Sequence, residues 1–147
     1  MNFLINFGFF GLFIASFAAA TILPIGSEPI FASLVLTGFN PITCLIIASI
    51  GNWLGGMTNY YIGRLGKIEW IERYFKIDLE KIKNIQQKLF NKSAFMAFFC
   101  FLPFIGDIIA IILGFARANI LIVNITMFAG KFLRYWLILQ SLEIIKP

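Results

Sequence analysis

The sequence predicts an all-α integral membrane protein, on three observations. Of its 147 residues 60% are hydrophobic and 13% charged, with a mean hydropathy of +0.88, whereas soluble domains run at about 45–50% and about 25%. From Met1 to Gly63 the only charged residue is Glu28. Third, two apolar runs are broken by Pro and Gly and closed by a carboxylate, 79 residues apart: Leu23-Pro24-Ile25-Gly26-Ser27-Glu28 and Leu102-Pro103-Phe104-Ile105-Gly106-Asp107. At that offset Leu23 matches Leu102, Pro24 matches Pro103, Glu28 matches Asp107, Gly51 matches Gly130 and Leu54 matches Leu133; the glycine after the proline is one place out of register. Interrupted apolar segments at corresponding places in two halves are the sequence mark of a transporter site. The chain is therefore read as one membrane domain, 1–147. Repeat 1 covers about 9–63, an amphipathic linker 64–92, and repeat 2 about 93–142.

The elements follow in order. Residues 2–23 are apolar apart from Asn2, Asn6, Ser16 and Thr21. They are long enough to span, since about 20 residues suffice. The repeat offers a second reading, a shorter re-entrant arm from about Gly11 to Leu23 with Met1–Phe10 at the interface. The side of the N-terminus depends on which holds. No basic n-region or small-residue cleavage site precedes Leu23, so Met1 is expected to be retained. Pro24 stops the first arm. Glu28-Pro29 starts the second, with Glu28 expected at the N-cap and Pro29 in the first turn, and Gly38 ends it. About ten helical residues reach only ~15 Å, half of a ~30 Å hydrocarbon core. The arm must go in and come out again, with its turn near the midplane. Irregular backbone survives at that depth only where protein buries it or a cavity receives it.

Pro41 to Gly63 is a full span. Gly51, Asn52, Gly55, Gly56, Asn59 and Gly63 share one face of it, and Gly51 and Gly55 form a GxxxG pair suited to close helix packing. Residues 64–92 carry eight Lys/Arg against four acids, which accounts for +4 of the net +5 and marks a cytoplasmic loop by the positive-inside rule. Phe75, Leu79, Ile82, Ile85 and Leu89 recur there at helical spacing, as in a helix lying on the inner leaflet. Ala94–Phe101, the Pro103–Asp107 turn and Ile108–Gly114 make a second hairpin, with Asp107 expected as N-cap. Arg117 lies on a short link, and Asn119 to Leu142 is the last span. One span and one loop separate the hairpins, so they open to opposite sides. That is an inverted repeat of re-entrant hairpin plus transmembrane helix.

The absence of His excludes His-based zinc sites, Ser-His-Asp triads and His proton relays, and no Walker A or dinucleotide fingerprint is present. No metal, cofactor or nucleic-acid partner is expected, and Cys44 and Cys100 read as buried thiols. The informative residues are five charges at membrane depth: Glu28, Asp107, Arg117, Lys131 and Arg134. Unpaired, they would cost on the order of 12–17 kcal/mol on insertion scales. They must pair, face water or change protonation state. Two roles follow. Glu28, Asp107 and Lys131 form a charge cluster at the hairpin turns (Pro24, Gly26, Pro103, Gly106), where burial favours the neutral acid and lets it carry protons. Lys131 is expected to pair with Asp107 or Glu28. Arg117, Arg134 and Lys131 bind an anionic headgroup, since the five charges leave one positive charge over and guanidinium forks suit phosphate oxygens.

Phe17 through Glu28, Gly51–Gly66 (GNWLGGMTNYYIGRLG), Phe101–Asp107 (FLPFIGD), Gly114–Arg117 (GFAR) and Gly130–Trp136 (GKFLRYW) together resemble the DedA family, also called the VTT-domain or SNARE-associated family, in its small YqaA-like branch. The resemblance covers about Phe9 to Trp136. It implies two facing re-entrant hairpins in the bacterial inner membrane, and movement of polyprenyl-phosphate carriers or phospholipids between leaflets with proton-motive-force coupling. The sequence departs from the main branch in three places. Asn52 stands where many members have Asp, and Cys100 and Gly106 stand where the main branch has arginines flanking the second proline. The function expected is thus a flippase- or scramblase-like transporter of anionic lipids. The alternatives are a non-transporting scaffold or assembly factor and a small-ion or drug exporter. An enzyme is not expected, because no nucleophile–base pair or metal set stands out. Two full spans make a thin bundle, which favours a homo-oligomer.

Overall fold

The computed structural model describes residues 2–21, 26–66 and 105–145, with isolated positions between 80 and 95. Among these the regular elements are five α-helices: α1 (Asn2–Thr21), α2 (Glu28–Leu36), α3 (Pro41–Leu65), α4 (Ile105–Phe115) and α5 (Ile120–Ile145). Pro24, Pro103, the arm before Pro103, the side chain of Asp107 and most of the expected amphipathic helix lie outside the described residues. At 1.5 Å per residue α3 and α5 reach ~37–39 Å, beyond a ~30 Å hydrocarbon core, whereas α2 reaches ~13 Å and α4 ~16 Å. Among the described residues α3 and α5 are long and apolar enough to cross a membrane, while the 20 residues of α1 reach ~30 Å.

Local chemistry explains the helix ends. Gly38 follows α2 at φ 102°, the left-handed conformation that glycine adopts without penalty. Phe39 N–H there donates to the Leu34 carbonyl (3.0 Å) and Gly38 N–H to that of Val35 (3.3 Å), closing the helix as a Schellman motif. Asn40 then caps α3, its Oδ1 accepting from the amides of Ile42 (3.0 Å) and Thr43 (3.1 Å), with Pro41 in the first turn. The second half repeats these bonds. Ala118 N–H donates to Leu113 (3.1 Å) and Arg117 N–H to Gly114 (3.0 Å), and Asn119 Oδ1 accepts from Leu121 N–H (2.9 Å). Each partner sits 79 residues after its counterpart, with Arg117 (φ 54°) in the place of Gly38.

Two expected helix starts are corrected. Glu28 is not the N-cap of α2: Ser27 is, its carbonyl accepting the first helical bond from Phe31 N–H (2.9 Å). Asp107 does not cap α4, which begins at Ile105 and so holds Asp107 within its first turn. In the first case the reason is visible, because the Glu28 carboxylate is drawn to a cation on α5 instead of to its own helix.

α3 is the helix on which the others assemble, and its glycines set the approach. A Cβ at Gly51 would lie 2.7 Å from the carbonyl oxygen of Phe13, and one at Gly55 would lie 2.5 Å from that of Phe17 and 2.6 Å from the Ala20 Cβ. α1 therefore runs parallel to α3 with backbone against backbone, and the Asn59 amide donates to the Ala20 carbonyl where α1 ends. α5 runs antiparallel, with Met127 against Gly56, Lys131 beside Asn52 and, just before α5, Ala118 beside Tyr60. α4 rests its backbone on the last turns of α3 at Tyr60, Gly63 and Arg64.

Two apolar clusters result. Met57, Tyr60, Ala110, Leu113, Ala118, Val123 and Met127 join the C-terminal half of α3 to α4 and the start of α5. Leu12, Phe31, Val35, Cys44, Leu45, Ala48, Tyr135 and Leu139 join its N-terminal half to α1, α2 and the end of α5. Outward, α3 and α5 present Ile42, Ile46, Leu121, Ile125 and Leu137 to the surroundings. Such an apolar exterior suits lipid tails.

Candidate functional site

Between the two clusters lies a polar layer, at the middle of both long helices. Met57 and Ala48 bound it on α3, and Met127 and Leu139 on α5. Inside it are Asn52, Lys131 and Arg134, with Ser16 from α1 and Ser27 and Glu28 from the start of α2.

Lys131 is 2% exposed. Its ammonium donates to Asn52 Oδ1, and Asn52 in turn donates through Nδ2 to the Ser16 carbonyl (3.2 Å). One amide thus ties α5 to α1 across α3. Gly56 makes room for the lysine stem, since a Cβ there would sit 2.9 Å from Lys131 Cε and 2.7 Å from Met127 Sδ. The Ser16 hydroxyl is buried without a hydrogen-bond partner among the described residues.

One turn further along α5 two consecutive side chains hold the start of α2. The Arg134 guanidinium forms an ion pair with Glu28, and Tyr135 OH hydrogen-bonds Ser27 Oγ, both residues being buried. The Tyr135 ring packs at a tilt against Phe31 with centroids 5.4 Å apart. The Glu28 carboxylate folds over Gly26, into the space a Cβ there would occupy. The ion pair is only partly screened from solvent, its side chains being 16% and 27% exposed. That places it between the surface pairs that contribute little and the buried ones whose disruption costs several kcal/mol.

The expected cluster is therefore rearranged. Of the two acids expected to face Lys131, Glu28 is held by Arg134, while the Asp107 side chain lies outside the described residues. Gly106 is buried at the start of α4. Arg117 does not join the headgroup set with Lys131 and Arg134. It is exposed on the link before α5, next to Ala118, whose carbonyl accepts from Tyr60 OH (2.5 Å). Tyr60 is eight residues along α3 from Asn52, ~12 Å at the helical rise. The link itself faces the end of α3, and the turn that forces it there places Arg117 away from the middle. Asn52, Ser27 and Tyr135 were not assigned these bonds from sequence, although one signal existed: Asn52 and Lys131 are separated by the repeat offset, 79. Residues at matching places of the sequence repeat thus meet through this bond. Among the described residues no three His, Cys, Asp or Glu side chains converge as a metal site.

Comparison with known proteins places this geometry in context. The chain is 32% identical over 132 residues to an uncharacterized protein of Haemophilus influenzae, covering 84% of this chain and 80% of that one. It is 31% identical over 131 residues to the inner membrane protein YqaA of Escherichia coli, covering 86% and 84%. A Lactococcus lactis protein described as alkaline phosphatase-like is 31% identical over 128 residues, 78% of this chain but 60% of that one. No family model matches, and no solved structure does.

Proposed function

This chain belongs to the YqaA-like branch of the DedA family of membrane proteins, and we propose that it moves anionic lipids, of the polyprenyl-phosphate or phospholipid class, between the leaflets of the bacterial inner membrane with proton coupling. The observation that carries this reading is the polar layer. Lys131, Arg134 and Glu28 are held at the middle of two spanning helices, where ionisable side chains are costly and mark pathways. A structural role alone would be met more cheaply by apolar side chains of the same volume.

The architecture supports it. α2 starts beside the middle of α5, at Tyr135, and is too short to cross, as a re-entrant arm should be. The matched capping bonds at an offset of 79 support two halves of one plan. The antiparallel run of α3 and α5 supports an inverted plan, and the basic loop after α3 supports a cytoplasmic place for that end. Glu28 is the described acid placed to carry a proton. Once protonated it releases Arg134, whose guanidinium is then free to take a phosphate in bidentate geometry. Headgroup binding and proton uptake are thereby linked.

The scaffold reading has one observation in its favour, the pairing of Glu28 with Arg134 and of Ser27 with Tyr135. Glu28→Gln separates the two. In proteoliposomes carrying a fluorescent anionic lipid, the variant should stay folded by thermal melting yet lose most of its leaflet exchange and its response to a pH gradient. A folded Glu28→Gln protein exchanging lipid at the wild-type rate, with the same pH response, would sink the transporter reading.

A further inference from the structure

We propose that Arg64 and Arg117 form a docking point for the phosphate of an anionic inner-leaflet lipid, at the end of α3 and apart from the mid-bundle polar layer. Three observations meet there. Tyr60 OH donates to the Ala118 carbonyl (2.5 Å), and Arg64 Nη1 donates to the same hydroxyl (3.0 Å). A single buried tyrosine therefore fixes the end of α3 to the link carrying Arg117. Both arginines are exposed, and neither has an ion pair among the described residues. Two exposed positive charges thus belong to segments tied together through one tyrosine, with no acid paired to either among the described residues.

The backbone of Arg117 is the second observation. Its φ of 54° lies in the left-handed region, which an L side chain disfavours because its Cβ crowds the following carbonyl. The matching turn of the first half solves the same geometry with Gly38. The two turns share their hydrogen bonds, with Arg117 at φ 54° where Gly38 stands at 102°. An arginine in that place works against the turn and contributes through its side chain. Outliers of this kind collect at functional positions.

The third observation is the collar around them. Tyr61, Ile62, Leu65 and Leu121 are exposed, Leu65 by 80%. Apolar and aromatic side chains at the tail boundary with arginines just beyond them match the headgroup level of a bilayer. Anionic phosphates of that leaflet attract basic groups at its surface.

The inference does not depend on transport, and its experiment reads stability. The purified protein is melted in micelles doped with phosphatidylglycerol, with phosphatidylcholine, or with inorganic phosphate at equal phosphate concentration. The wild type should melt higher with phosphatidylglycerol than with phosphatidylcholine, and inorganic phosphate should not reproduce the rise. Arg117→Gly should raise Tm in phosphatidylcholine by about 2–4 °C by relieving the turn. It should also remove at least half of the phosphatidylglycerol-specific increment, which Arg117→Lys should largely keep. An increment that survives Arg117→Gly intact overturns the proposal, as does a rise equalled by inorganic phosphate. A lower Tm for Arg117→Gly in phosphatidylcholine overturns it too, by showing a structural role for the side chain. Any increment left in Arg117→Gly belongs to Arg64, to the basic segment 67–92 or to the polar layer. Leaflet exchange by Glu28→Gln tests that layer separately.

Discussion

Gly55 and Gly56 are neighbours on α3, and the same substitution should affect them in opposite ways. A Cβ at Gly55 would stand 2.5 Å from the Phe17 carbonyl oxygen and 2.6 Å from Ala20 Cβ, on the backbone of a helix. α1 would have to retreat by about 1 Å along a packed face, and overpacking of that kind costs ~1–3 kcal/mol. A Cβ at Gly56 meets Met127 Sδ (2.7 Å), Lys131 Cε (2.9 Å) and Lys131 Nζ (3.4 Å), the far ends of two flexible side chains. These can swing aside at small cost. Alanine improves helix propensity over glycine by ~0.8–1.0 kcal/mol at either place. Gly55→Ala is therefore expected to be neutral to ~2 kcal/mol destabilising, and Gly56→Ala neutral to slightly stabilising. Unfolding in mixed micelles followed by tryptophan fluorescence should separate the melts by several degrees, at ~2–4 °C per kcal/mol. A Gly55→Ala variant as stable as Gly56→Ala would refute the seating of α1 on the glycine face.

Other outcomes follow from the polar layer. Asn52→Ala and Lys131→Met remove the two ends of one buried hydrogen bond, so their double mutant should be less destabilised than the singles added together. The coupling should be ~0.5–3 kcal/mol, and strict additivity would argue against the bond. Tyr135→Phe keeps the packing on Phe31 but strands the Ser27 hydroxyl, for a loss of ~1–3 kcal/mol. Ser27→Ala should lose a similar amount, and the double mutant should lie near one single; a Tyr135→Phe melt identical to wild type would remove this contact from the account.

Much of the chain's punctuation was legible in its residues, because turn chemistry is local. Pro29, Gly38, Asn40-Pro41 and Asn119 act where their backbone preferences put them. The glycine face was legible too, since only close helix approach calls for Gly51, Gly55, Gly56 and Gly63 on one side. What could not be read was the choice among polar partners. A glutamate before a proline looks like a cap until an arginine more than a hundred residues later competes for it, and Ser27 then caps with its carbonyl while its hydroxyl turns to Tyr135. The start of α4 at Ile105, earlier than the aspartate suggested, is the same failure: local signals set where a helix can begin, not where it does. Arg117 was grouped by charge and depth, and neither reports the direction of a turn.

Arg134 and Tyr135, which grip Glu28 and Ser27 from α5, have counterparts on α3 at an offset of 79: Gly55 and Gly56. Glycine has no side chain with which to grip anything. The start of α2 is thus latched to the opposite long helix by an ion pair and a hydroxyl bond, while the two equivalent positions of α3 carry no side chain for such a latch. A molecule with two identical halves would have no thermodynamic reason to prefer one face of the membrane over the other. Here the halves are unlike at these positions, two side chains standing against two hydrogens. The difference between the halves is thus concentrated in two pairs of positions: Gly55-Gly56, where a lack of side chains seats α1 and gives Lys131 room, and Arg134-Tyr135, whose side chains hold the start of α2.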